Sequence, residues 1–476
     1  MSIDRRRFLE GSSLWLAGSA LPARVTASVA PASHALAPFY DEIERRTFRF
    51  FWETVNRKNG LVPDRWPTPS FSSIAAVGFA LPAYAIGAAR GWCSRSEARD
   101  LTLTTLRFFW NAPQGTEPTG TAGYKGFFYH FLDMESGLRF RDVELSTVDT
   151  TILLMGVLFA GQYYDRDDRA ESEIRRLSAA LYDRADWSFF QSDGRAAISM
   201  GWHPGNGLID ANWVGFNEGM FVNILALGSA THPAPANLWK QWIAPYPDRW
   251  VGEGPTRRIS FAPLFGHQYS QIFIDFRGIR DAPMREAGFD YFENSRRATY
   301  ANRAYCIANP MGWRGYSDRI WGLTACDGPG SFQLPFKGEI RQFYGYAARG
   351  PTSDADGRDD GTLAPTAPLG SLPFAPEIVI PCAEALLQQH GSRIFDKYGF
   401  RDSFNPTFTY KKLRLDTGSV DPASGWVAKD YLGIDQGPIL LQAANYREEF
   451  IWRRMRRVPA IQRGLKRAGF TGGWLG

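Results

Sequence analysis

Residues 72–89 read SSIAAVGFALPAYAIGAA and residues 148–159 read VDTTILLMGVLF. Wound at 3.6 residues per turn, both are apolar nearly all round, and a helix of that kind has to be covered on every side. RAESEIRRLSAALY at 169–182 is different, because its Arg and Glu residues make a charged face that belongs outside. Buried helices alternating with charged ones are what an inner and an outer ring of helices require. The expected fold is therefore all-α, an (α/α)6 toroid with long loops and short β-hairpins at its cleft. A βαβ rhythm is missing, which disfavours a doubly wound sheet.

Outward from these stretches, helical periodicity is expected over 39–55, with Ile43, Thr47, Phe50, Phe51 and Val55 on one stripe, and over 96–110, with Ser96 as N-cap. Further helices are expected over 218–227, 284–307, 376–390 and 436–454. The stretches between them are rich in Gly, Pro and aromatic residues, and Gly126–Phe131 reads as a hairpin strand. The segment 350–370 reads as an ordered loop over the mouth of the barrel. With no domain-sized linker after residue 36, residues 36–476 read as one catalytic domain.

The 54 basic and 49 acidic residues give a net charge of +5, and the basic excess sits at the two ends. A near-neutral body argues against nucleic acid as a partner. Sixteen Trp, 19 Tyr and 34 Phe make the aromatic share 14%, more than a core demands, and sugar-binding clefts use such rings as stacking platforms.

Residues 1–35 read as an export signal. Arg5-Arg6 with Phe8-Leu9 precedes the uncharged stretch Gly11–Ala23, which is shorter than the about 20 residues of a membrane span. That layout resembles a twin-arginine signal, with cleavage after Ala27, Ala30 or Ala35. The mature chain is then expected to be periplasmic or secreted, without a membrane anchor. Cys93, Cys306, Cys326 and Cys382 are far apart and no metal site is expected from them; they read as buried thiols, although an oxidising compartment would allow a Cys306–Cys326 bond.

Chemistry in such a barrel gathers where inner helices begin, because free N–H groups and the helix dipole favour acids there. Three segments fit: Asp142–Thr151, Asn212–Met220 and Gly433–Pro438. Asp149 and Asp435 also suit helix capping. Glu218 does not, and Trp213, Phe216 and Met220 beside it would raise its pKa by desolvation, as a general acid needs. Joined to an ionised carboxylate on another helix, it would form a glycoside-hydrolysis pair. Trp202, His203, Trp213, His267, Tyr269 and Trp313 are candidate sugar contacts, with Trp202 and Trp213 equally suited to the core.

The runs ELSTVDT (144–150), GFNEG (215–219), GLTACDGP (322–329), DGTLAPTA (360–367), LPFAPE (372–377) and GIDQGP (433–438) resemble a bacterial family labelled putative glucoamylase, whose characterised members are endo-β-1,2-glucanases. The resemblance spans about residues 38–456. It implies an (α/α)6 barrel, exported, that hydrolyses β-1,2-linked glucan with inversion and without a cofactor. Glu218 and Asp435 match positions important for catalysis. Glu144 joins them as a catalytic candidate from the acidic segment lining the cleft, and Asp149, Asn217 and Asp327 join the expected substrate contacts. A monomer acting on an oligo- or polysaccharide is expected. Two rival classes remain, a toroidal polysaccharide lyase and a non-catalytic glucan-binding protein; the acid-rich helix starts argue against the first, and the second needs no raised Glu.

Overall fold

The computed structural model describes residues 34–191, 196–354 and 357–476. Arg5-Arg6, the uncharged stretch after them, Ala27 and Ala30 lie outside the described residues. Within them, a serine starts each of the two all-apolar helices. Ser73 Oγ accepts the Ala76 N–H and Ser146 Oγ accepts the Asp149 N–H, which satisfies donors that the first helical turn leaves free.

Along the chain the helices are α1 (Pro38–Thr54), α2 (Ile74–Ala89), α3 (Arg95–Asn111), α4 (Thr147–Tyr163), α5 (Arg169–Asp183), α6 (Met220–Gly228), α7 (Leu238–Ile243) and α8 (Phe265–Phe273). They continue as α9 (Ala282–Ala287), α10 (Tyr291–Ala308), α11 (Thr366–Leu369), α12 (Pro376–Ile394), α13 (Gly433–Glu448), α14 (Trp452–Met455) and α15 (Pro459–Arg467). The fold is helix-rich, with short strands between the helices.

The all-apolar helices are buried as their sequence requires. α2 packs on α4 and α13, α4 on α6, and α13 on α8 and α11. The α2–α4 crossing is close because glycines meet there: a Cβ on Gly156 would stand 2.1 Å from the Gly78 carbonyl oxygen. Amphipathic helices cover this inner set. α5 lies on α4 and α3, α1 on α13 and α2, and α15 on α6. The charged face of α5 looks outward, where Glu173 takes both guanidinium N–H groups of Arg107 at 2.8 and 2.7 Å.

Several expectations need correction. Ser94, not Ser96, caps α3, in a capping box with Glu97. Residues 284–307 are two helices, because Gly288 turns the chain at φ +81° and Asp290 caps a new start. The helix expected over 436–454 ends at Glu448, where Glu449 adopts φ +55°, and α14 follows separately. Glu218 precedes α6 instead of opening it. α8 and α15 arise in stretches with no expected helix. Most of the described part of 350–370 is sunk into the body, although Thr352, Ser353 and Arg358 are exposed: Asp354 accepts Arg258 at 2.7 and 2.9 Å, and residues 359–370 are buried. All four cysteines are free, so Cys306 and Cys326 are not bonded, and Cys93 is only half-buried.

The composition signals also resolve differently. Trp187, Trp242, Trp321, Trp426 and Trp452 are fully buried, so much of the aromatic share is core. The basic C-terminus is structural: Arg447 pairs with Glu44 and Asp41, Arg456 with Asp275 and Glu449, and Arg467 donates to the Leu227 carbonyl. Among the described residues, no helix is long and apolar enough to cross a membrane.

Candidate active site

A five-stranded antiparallel sheet builds one side of the site. Its strands run in the order Gly123–Tyr124, Phe127–Tyr129, Leu145–Ser146, Gly201–His203 and Gly207–Leu208; the strand expected within 126–131 is the second of them. Tyr129 pairs with Leu145, and Leu145 with Trp202. That register sets His130 beside Glu144 and both near the Trp202–His203 strand. His130 Nδ1 lies 2.8 Å from Glu144 Oε1, and its Nε2 lies 3.5 Å from Asp149 Oδ1.

Charge explains the protonation of this trio. Burial alone would lower His130, but the carboxylates of Asp149 and Glu144 override it and raise the imidazole to about 9. The two acids then move apart. Asp149 is buried, and desolvation raises it despite His130 and the Ser146 hydroxyl at 2.5 Å. Glu144 is more open, so desolvation, though its largest single influence, is outweighed by the hydrogen bond and the charge of His130 together, and the group is lowered. One ligand atom from each of these three residues lies within 4.8 Å of the others, a donor set a divalent cation could use only if His130 gave up its proton.

Glu218 stands in the turn before α6. Gly219 follows it because the Trp213 ring lies on that side: a Cβ there would be 2.4 Å from Trp213 Cε3. The Trp213 indole N–H in turn donates to Thr147 Oγ1 at 2.8 Å, which ties the turn to the start of α4. Taken as a whole residue Glu218 is half-buried, yet its Oε2 is buried with no hydrogen-bond partner. Desolvation, helped by the charge of Asp149, raises its carboxyl to about 7.

The other side of the site forms at the start of α13. Asp435 lies in its first turn, and the helix has no side-chain cap, so the capping role suited to Asp435 is not the one it plays. Short antiparallel pairings bring distant residues to it. Arg65 pairs with Leu432 across one, and Cys326 with Ala347 across another. Arg65 donates to Asp327 at 2.9 Å and to Asp64 at 3.1 Å. Asp402 Oδ2 accepts the Asp327 N–H at 2.7 Å and the Ser403 hydroxyl at 2.8 Å. Burial, then Asp402, raises Asp327 to about 7 against the pull of Arg65. Burial, then Asp402, Asp327 and Asp64, pushes Asp435 well above the carboxylate range.

Two tyrosines stand near these acids. Tyr269 on α8 is buried and feels the charges of Asp435, Glu218 and Asp149 together. Tyr346 sits on the turn that Arg349 anchors, since the Arg349 guanidinium donates to the carbonyls of Tyr344, Gly345, Cys326 and Ala347 and pairs with Asp360 with neither side chain exposed. The Tyr346 residue is 61% exposed. Protein packed near its hydroxyl and the charges of Asp435 and Asp402 still raise that group well above the usual tyrosine range. An open ring within reach of buried carboxylates is a candidate sugar contact.

Tyr269 therefore stands among Asp149, Glu218 and Asp435, with Glu144 near Asp149 through His130 and Asp327 near Asp435. His203 is half-buried, with Nδ1 3.4 Å from Arg139. Asn217 shapes the turn by accepting the Gly219 N–H at 2.8 Å. Trp202 is buried against Tyr124 and Phe189. His267, packed against Phe216, and Trp313 are enclosed and present no open face to a sugar. His267 is enclosed, within 3.1 Å of the Phe261 carbonyl, and desolvation lowers it to about 3; Trp313 is packed on Phe336 in the second core. Sequence reasoning missed His130, Arg65, Asp402 and Tyr346. Only strand pairing brings the first two to the acids, and no local pattern marks them.

The chain is similar to known proteins over most of its length. A 26% identical relative, the exo β-1,2-glucooligosaccharide sophorohydrolase (non-reducing end) of Parabacteroides distasonis, aligns over 90% of this chain. The chain spans 57% of that relative's length. The endo-β-1,2-glucanase of Chitinophaga pinensis, solved with sophorotriose and glucose, superposes with a TM-score of 0.77 at 25% identity, over 92% of this chain and 100% of that one. The structure of a putative glucoamylase from Bacteroides uniformis superposes with a TM-score of 0.76 at 29% identity, over 93% of this chain and 100% of that one. The family described as "Putative glucoamylase" matches residues 210–459, a segment that runs from the turn carrying Glu218 through α13 with Asp435, and over this half of its length the chain is a member of that family.

Proposed function

We propose that this chain is a glycoside hydrolase that cleaves β-1,2-linked glucan with inversion, on an (α/α)6 toroid of inner and outer helices. The observation that supports it most is the Glu218 carboxyl, enclosed without a donor on Oε2 and raised to about 7, with Tyr269 feeling both it and Asp435 at the start of α13. Glu218 would protonate the glycosidic oxygen as the bond to the anomeric carbon breaks. Asp435 would take the proton of the attacking water, directly or through a substrate hydroxyl. Glu144, held by His130, and Asp149 would fix sugar hydroxyls near Glu218, while Asp327, Asn217, Trp202, His203, Trp213, Tyr269 and Tyr346 would line the path of the chain.

The substrate class is carried over from the β-1,2-glucoside activities of the relatives. Purified protein incubated with β-1,2-glucan, starch and alginate tests it: new reducing ends from β-1,2-glucan alone are expected. Unsaturated products from alginate would point to a lyase, and binding of β-1,2-glucan without products would leave a glucan-binding protein. Export through the twin-arginine signal is part of the same reading, as is a mature domain over 36–476. Arg5→Lys with Arg6→Lys is expected to hold the precursor in the cytoplasm; normal periplasmic accumulation of that double variant would remove the export assignment.

A further inference from the structure

Asp402 lies outside any role given so far, and its surroundings are unusual. Its Oδ2 accepts two donors, the Asp327 N–H and the Ser403 hydroxyl. Its Oδ1 is buried with no donor, and so is Asp435 Oδ2. The two residues are 1% and 4% exposed and their carboxyls lie within hydrogen-bonding reach of each other. Two ionised carboxyls within that reach and away from water would repel strongly, whereas one proton between them gives a charge-assisted O–H···O bond. Cations do not remove the need for it. Among the described residues, Arg65 is the cation facing this cluster, and it is already shared by Asp64, Asp327 and Asp430; Arg349 is committed to Asp360. Tyr269 on α8 and Tyr346 on its turn face Asp435 as neutral phenols.

We propose that Asp402 is the positioning partner of Asp435: the two carboxyls hold one proton between them, and Asp402 takes it over when Asp435 accepts the proton of the attacking water. This rests on the hydrolase reading above. At rest the proton belongs on Asp435, because Asp402 already has two donors that favour its ionised form. When substrate and water are in place, the proton passes to Asp402 Oδ1 and frees Asp435 as the base. Water then forms its bond to the anomeric carbon and gives a proton to Asp435, while Glu218 gives its own to the leaving oxygen. The pair ends one proton richer and Glu218 one poorer, and exchange with solvent resets both. Asp402 touches no reacting atom; it sets where the proton of Asp435 sits.

Asp402→Asn in the full chain tests this. Without Asp402 the proton on the buried Asp435 can leave only to solvent, so the variant is active only where Asp435 has ionised outright. The acid limb of kcat/KM should therefore move to higher pH by about one unit or more, with kcat at neutral pH down by about tenfold and KM within about threefold. Infrared difference spectra without substrate read the proton itself. At neutral pH the wild type should show the carbonyl stretch of a protonated carboxyl that Asp435→Asn loses and that Asp402→Asn shifts, because the acceptor of its hydrogen bond is gone. An Asp402→Asn enzyme whose acid limb stays in place overturns the proposal, as does a wild type that shows no such loss against Asp435→Asn. The second comparison decides alone if Asp402→Asn does not fold. A wild type that shows the shared proton but leaves β-1,2-glucan uncut would sink the hydrolase reading and keep the pair.

Discussion

Glu218→Gln is expected to lower kcat on β-1,2-glucan by at least about a hundredfold while KM and glucan affinity stay within a few-fold. Gln keeps the volume in the turn between Trp213 and Met220 and keeps a polar head, but it has no proton to give. The wild-type rate should fall as pH rises through about 7, where Glu218 ionises. The variant should lose that basic limb together with its activity. Stability should move the other way. Glu218 is raised in the folded protein from 4.5 to about 7, so folding is unpenalised below pH 4.5 and loses stability as pH climbs through 7. Gln avoids that loss, and the variant should be more stable than wild type above pH 7, by on the order of 1–2 kcal/mol given partial exposure. Denaturant unfolding at pH 5 and pH 8 measures the difference. A Glu218→Gln enzyme that keeps a large fraction of wild-type activity removes Glu218 as the proton donor.

What the sequence showed, and what it hid, follows from how far each feature reaches. A helix apolar on every side announces burial from a dozen neighbouring residues, so α2 and α4 were legible, and so was the placing of Asp149 and Asp435 at helix starts. α8 was not legible. Its His267, Gln268, Ser270 and Gln271 are all buried and matched to partners from elsewhere in the fold, so its polar residues break the apolar pattern without making an exposed face. The break in 284–307 was visible in principle, because Gly288 and the Asp290 cap are both ordinary termination signals, but the periodicity on either side concealed it. The site divides in the same way. Glu218 and Asp435 stand out from their neighbours, whereas Arg65 and Asp402 acquire meaning only once the 65–66 and 431–432 strands pair and the 400–405 loop returns. Tryptophan content misled because a large core can absorb Trp as readily as a cleft can display it.

Asp435→Asn is expected to abolish turnover without a matching loss of stability, and the anomer released by the wild type is expected to be α from a β-linked substrate. Both follow from where the acids stand. Retaining enzymes hold their carboxyls about 5–5.5 Å apart and inverting ones about 6.5–9.5 Å, leaving room for a water. Carboxyls at the retaining distance would feel each other's charge strongly. Here the charge that helps raise Glu218 is that of Asp149, and Asp435 is raised by Asp402, Asp327 and Asp64. Glu218 lies in the turn before α6 and Asp435 in the first turn of α13, and Tyr269 of α8 feels both. That arrangement favours the wider spacing. Asp435 makes no cap bond, so its loss should not fray α13, and relieving a buried carboxyl cluster of one member should leave the melting temperature unchanged or higher. Following the anomer by NMR during the first minutes decides the stereochemistry, before mutarotation blurs it. Initial β-anomer would mean retention and would remove the base role of Asp435, and with it the proton relay through Asp402.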